Sequence, residues 1–172
     1  MPYIPKYYDN TLVCYSFSKS LSLPGDRIGY IFASPKITNK NIFAAICAAG
    51  RSQGYVCAPS LFQKLIAKCL NETSDLNFYK RNRDILFNNL TKIGYEIVKP
   101  DGAFYLFIKA LESDAVKFSE AAKKFELLLV PSDDFGVEGY VRIAYCVSEK
   151  TINNSLNAFQ KLYNEYRGQK WI

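Results

Sequence analysis

Apolar and polar positions follow two different periods along this chain. Residues 11–16 (TLVCYS) and 27–33 (RIGYIFA) are short apolar runs bounded by Ser, Pro and Gly, and they predict two strands joined around a loop as a sheet edge or hairpin-like unit. The opening, 1–10, carries Pro2 and Pro5 and predicts an irregular approach. After the Ser34-Pro35 break the period becomes helical, with helices expected over 38–51, 60–70 and 76–93. Pro59 and Ser60 suit first helical positions, and Gly94 stands where a left-handed residue would end the third helix. Beyond Gly94 the pattern shortens again. Strands are expected at 95–98, 103–108, 127–130 and 140–144, with a helix over 114–125 between the second and third. A last helix over 148–166 has a capped entry in Ser148-Glu149-Lys150-Thr151.

The expected fold class is α/β: two strands, three helices, then a small α+β unit, with no internal repeat and no low-complexity linker. Two leading strands have too few partners to form a sheet alone, so a segment upstream of them is expected. A chain of 172 residues fits one domain or one domain plus a remnant, and 49% apolar with 15% aromatic residues is enough for a buried core. Net charge is +6, but no stripe of arginines alternates with aromatics. The charge therefore serves solubility and a modest pull on anions, and a nucleic-acid partner is not expected. Cys14, Cys47, Cys57, Cys69 and Cys146 are odd in number and scattered, and the sequence has no histidine. No metal site is expected, serine-histidine and cysteine-histidine pairs are excluded, and free thiols fit a reducing compartment. The N-terminus is unlike a signal peptide and no apolar run approaches membrane-spanning length, so the expected location is cytoplasmic, with no membrane partner.

The most informative stretch is Ser16-Phe17-Ser18-Lys19-Ser20, followed by Gly25-Asp26-Arg27-Ile28-Gly29-Tyr30. A lysine placed after a buried strand lies in a serine-rich loop and is answered by an arginine between two glycines. Serine hydroxyls and a planar guanidinium suit a phosphate dianion, and glycines let backbone come close to a ligand. Neither GxxxxGK[ST] nor GxGxxG is present, which argues against nucleotide loops. A lone lysine in a polar turn is ordinarily just a surface lysine; here the joint pattern is what carries weight.

SFSK followed by G-x-R-x-G-Y is similar to the cofactor-attachment motif of class I and II aminotransferases, the fold-type I enzymes that depend on pyridoxal 5'-phosphate. That resemblance implies that Lys19 attaches the cofactor through its amine and is catalytic, that Ser16 and Arg27 hold the phosphate, and that Ser18 assists. An amine near fixed positive charge and partly desolvated gives up its proton more easily, as such attachment requires. Asp26 departs from the family, where an aromatic residue often stands, and is expected to point to solvent. Further on, Pro100-Asp101-Gly102-Ala103-Phe104-Tyr105 resembles the P-x-G-A-F-Y strand of the family's small domain. It is expected mainly as a glycine turn into an aromatic strand, one of whose aromatics can border the substrate. Residues 128–131 and 139–145 resemble the closing strands, and by resemblance Arg142 grips the α-carboxylate of the substrate. Read without the family, Arg142 is an edge arginine reaching water or paired with a carboxylate. Residues 132–136 lie in the loop between those strands, where they could face the substrate mouth, and are expected as a solvated loop. Tyr55 and Ser60 are the positions that would reach a partner subunit in a family homodimer.

The family also uses a glycine-rich helix start, an asparagine and an Asp-x-x-Tyr segment that this sequence does not contain. The expectation is therefore the C-terminal portion of a fold-type I enzyme, inactive on its own. Residues 1–35 would be a strand-loop-strand remnant of the large cofactor-binding domain, and 36–172 a helical connection and small domain. The substrates implied are an amino acid and a 2-oxo acid. The competing readings are another fold-type I reaction, a lyase or an acyl-transferring synthase, and a non-catalytic small-domain module.

Overall fold

Strands β1 (Leu12–Ser16) and β2 (Gly29–Ala33) pair antiparallel, from Leu12 opposite Ala33 to Ser16 opposite Gly29, in the hairpin-like arrangement that their spacing predicts. Gly29 cannot carry a side chain there, because a Cβ would lie 2.3 Å from the Tyr15 carbonyl oxygen across the pair. This close approach is between strands, whereas the sequence reading reserved the glycine for a ligand. Between the strands, α1 (Phe17–Ser20) is a single turn where a loop was expected. The structure is a computed structural model that describes residues 2–168. Met1, at the start of the irregular opening, and residues 169–172, at the end of the second expected domain, lie outside the described residues.

Helix α2 (Ile42–Ser52) starts four residues later than its apolar period predicts. Asn10 Oδ1 accepts from both the backbone N–H and the hydroxyl of Thr38, and Asn39 Oδ1 accepts from Asn41 N at 3.0 Å. These side-chain bonds hold 38–41 as a turn and delay the helix. Helix α3 (Ser60–Lys68) begins at the expected proline-serine pair. Phe17, Ile28 and Ile66 form a small buried core with Leu21, Leu23, Ala58 and Phe62 against it.

The second half is built on α4 (Leu76–Ile93), β3 (Ile97–Val98), β4 (Tyr105–Lys109), α5 (Ala115–Lys123), β5 (Val130–Pro131), β6 (Tyr140–Ala144) and α6 (Glu149–Gly168). The strands make an antiparallel sheet in the order β3-β4-β6-β5. Leu106, Ile108, Val141 and Ile143 point from one face into a core with Leu86 and Leu90 of α4, Phe118 and Ala122 of α5, and Ile152, Phe159 and Leu162 of α6. Asp75, Asp114 and Ser148 cap the three helices, each side chain accepting from backbone N–H groups of the first turn. Gly94 ends α4 at φ 118°, in the left-handed region its position predicts. Strands β3 and β5 are two residues long where four were expected in each. The amide of Tyr95 is spent on the Leu90 carbonyl at the end of α4. Leu127 N likewise bonds Ala122 O, and Ser119 Oγ holds the Leu129 carbonyl at 2.6 Å, so 126–129 finish α5 before β5 begins.

The chain divides into two compact units, Met1–Ser74 and Asp75–Ile172. Helices α2 and α3 fall in the first unit with the hairpin. The expected division at 35/36 concerns descent from a larger enzyme and stays a proposal.

Candidate active site

The serines around Lys19 are held by the local backbone. Ser16 ends β1 in an extended conformation and caps α1: its Oγ accepts from Ser18 N at 3.2 Å and donates to Ser18 Oγ at 2.9 Å. The two hydroxyls named from the sequence are thus brought together. Lys19 follows in the same turn, its carbonyl accepting from Ser22 N at 3.3 Å and from Ser74 Oγ at 3.4 Å. Its side chain is exposed.

Arg27 comes back to this point through the turn that follows Pro24. The residue has φ 50°, and its Nη1 donates to the Pro24 carbonyl at 2.8 Å. A left-handed conformation in a non-glycine residue costs about 1–2 kcal/mol and marks a backbone fixed by its surroundings. One N–H of the five on the exposed guanidinium is spent on Pro24. Asp26 is half-buried rather than turned wholly to solvent. Because Ser16 pairs with Gly29, and Phe17 N donates to Ile28 O at 3.1 Å, the two halves of the motif meet at one end of the hairpin.

Arg142 lies in the second unit, on β6. This strand is interior, between β4 and β5, and Arg142 stands opposite Phe107 on one side and Val130 on the other. Alternation puts Val141 and Ile143 in the core and turns Arg142 to the opposite face. Among the described residues its neighbours there are rings: Cζ is 4.2 Å from the Tyr105 centroid and 4.4 Å from that of Phe135. Both distances lie in the cation–π range. The edge arginine with a carboxylate partner, considered from sequence, is not what is found.

Phe135 comes from the 132–136 segment, which was expected as a solvated loop. Ser132 is fully buried, and its hydroxyl donates to the Tyr140 carbonyl at 2.7 Å while its amide donates to the same oxygen at 3.0 Å. Phe135 N bonds back to Ser132 O at 2.8 Å, and Gly136 at φ 77° releases the chain. The loop is thus a fixed turn that presents Phe135. Sequence reading missed this role, and also the role of Tyr105. The available signal was an aromatic before a turn glycine, close in sequence to an arginine-bearing strand. A groove of about 560 Å³ on this unit is lined by Val98, Pro100, Tyr105, Phe107, Val137 and Tyr140.

Chemically, residues 16–27 carry two joined hydroxyls, an amine and a guanidinium. Hydroxyls and guanidinium suit a phosphate, and an amine suits an aldehyde, so this donor set fits pyridoxal phosphate. Arg142 offers a planar fork suited to a carboxylate. Tyr55 and Ser60 are exposed, in the segment before α3 and at its first turn.

The family model for aminotransferase class I and II matches residues 5–159. The chain is 57% identical to an amino transferase from Eubacterium rectale whose crystal structure superposes with a TM-score of 0.84, over 96% of this chain and 42% of that one. It is 33% identical to a probable N-acetyl-LL-diaminopimelate aminotransferase of Bacillus subtilis, over 88% of this chain and 40% of the relative. An aspartate aminotransferase structure from Thermotoga maritima is 29% identical with a TM-score of 0.75, over 91% of this chain and 41% of that one. The chain thus spans about 40% of the length of the curated relatives it matches.

Proposed function

This chain belongs to the class I and II aminotransferases, and from that premise we propose that it supplies the cofactor lysine and the carboxylate grip of an enzyme that moves an amino group between an amino acid and a 2-oxo acid. Ser16, Ser18 and Arg27 would hold the phosphate of pyridoxal phosphate, and Lys19 Nζ would be the amine that joins the cofactor's aldehyde carbon, with loss of water. The cofactor, when bound, supplies an electron-withdrawing ring that makes a proton on the substrate Cα removable. Lys19 Nζ, once displaced from the cofactor by the substrate's amine, would be free to receive that proton and return it. Arg142 binds the α-carboxylate through two parallel N–H bonds and so fixes the orientation of the Cα–H bond. A homodimer completes the reading, with Tyr55 and Ser60 offered to the partner. The setting is the cytoplasm, in keeping with five free cysteines.

The observation that supports this reading is the pairing of Ser16 with Gly29 and of Phe17 N with Ile28 O, which sets the Ser16–Lys19 turn beside the start of the returning strand that follows Arg27. All three relatives described above bear aminotransferase names, which favours amino-group transfer over lyase or synthase chemistry. The test is a chimera in which this chain replaces the matching 42% of the Eubacterium rectale amino transferase. The chimera is expected to transfer amino groups, and borohydride reduction in the presence of cofactor should mark Lys19 in peptide mass maps. Lys19→Ala should remove the mark and at least about 1,000-fold of the turnover, since the amine serves both attachment and proton transfer. A Lys19→Ala chimera that still transfers amino groups at the parent rate overturns the assignment.

A further inference from the structure

The two rings against Arg142 have no part in the roles assigned so far. We infer that Tyr105 and Phe135 are positioning residues that hold the Arg142 guanidinium in one orientation, so that its N–H fork meets a planar carboxylate edge-on. The inference rests on the reading of Arg142 as a carboxylate grip. An arginine side chain turns about several bonds, and freezing them on binding weakens affinity. Rings 4.2 and 4.4 Å from Cζ freeze them beforehand. They also keep water from the guanidinium where they cover it, which leaves the in-plane N–H groups as the route for an anion. Each ring is itself fixed. Tyr105 stands on β4 in register with Ala144, and Phe135 ends the turn that buried Ser132 ties to the Tyr140 carbonyl. Phe135 stays 47% exposed. A ring placed only for packing would be expected deeper in the core, whereas this one spends its contact on a guanidinium.

The full 172-residue chain, labelled with nitrogen-15, tests this through the Arg142 Nε–H signal, with succinate as the carboxylate probe. In the unaltered chain the Nε–H order parameter should approach the roughly 0.8 of ordered backbone, and Phe135→Leu or Tyr105→Leu should bring it below about 0.6. Succinate affinity should fall roughly three- to tenfold in either variant, the cost of ordering one long side chain. Phe135→Tyr, which keeps a ring, should restore both readouts; a role in packing alone gives no such rescue of Arg142 order. Thermal unfolding checks each variant, and if Phe135→Leu does not fold, Tyr105→Leu carries the test. Unchanged order at Arg142 in a folded leucine variant overturns the inference. Arg142→Ala separates the two claims. If it leaves succinate binding intact, the carboxylate grip is wrong, while the order parameter still judges whether the rings hold the side chain.

Discussion

At the scale of single residues, the identity of the polar groups matters more than their charge. Lysine in place of Arg142 would keep a cation beside the rings but lose the fork, leaving a point charge with freely turning donors. In the chimera, Arg142→Lys is therefore expected to raise KM for the amino-acid substrate roughly 10- to 100-fold, the worth of one charge-assisted hydrogen bond, with a smaller change in kcat. Steady-state kinetics with an amino acid and its decarboxylated amine separate the effects, because only the acid should register the substitution. Equal loss for both compounds would mean that Arg142 supports the fold rather than the substrate. Lys19, Ser16, Ser18, Arg27 and Arg142, the residues proposed for the site, could be named from the sequence because each lies in a contiguous motif. Phe135 was not. Its contact with Arg142 joins residues seven apart in sequence and depends on a serine hydroxyl closing the turn, which no apolar period records.

At the scale of elements, Gly94 shows how a cap read from sequence acquires a second constraint in three dimensions. Its φ of 118° already disfavours any side chain, and an added Cβ would lie 2.3 Å from Tyr163 Oη on α6. Gly94→Ala is expected to cost about 2 kcal/mol and to lower Tm by about 4–8 °C in a chain of this size. Gly136→Ala, at φ 77° with nothing within 4 Å, carries the backbone term alone and should cost less. Equal losses in calorimetry would show that Tyr163 moves aside freely. The helices were legible to within a few residues because an amphipathic period repeats over several turns. The two-residue strands β3 and β5 were overestimated, since local hydrogen bonds to the ends of α4 and α5 took amides that the apolar pattern assigned to the sheet. The helical turn at Lys19 was missed for a related reason: four residues are too few to show a period, and a capping hydroxyl decides the conformation.

At the scale of the whole molecule, the two units differ sharply in how much they bury. Among the described residues the second holds a core of eighteen buried hydrophobic residues, and the first has Phe17, Ile28 and Ile66. Local stability follows burial, so amides of β4, β6 and α6 should resist hydrogen exchange far longer than those of β1, β2 and α2. Exchange followed by mass spectrometry reads this directly, and equal protection in both units would contradict it. The hairpin then sets how the chain behaves in the test tube. Among the described residues β1 and β2 pair only with each other, and Tyr15, Tyr30, Ile31 and Phe32 are exposed along them. Two outer strand edges with unpaired backbone groups and greasy side chains form a template for a further strand. In a concentrated preparation the strand most readily at hand is on another molecule of the same chain. Clouding that worsens with concentration, slow growth of large particles on storage, and relief by dilution are the outcomes expected of such a hairpin, and turbidity that stays flat as concentration rises would contradict it.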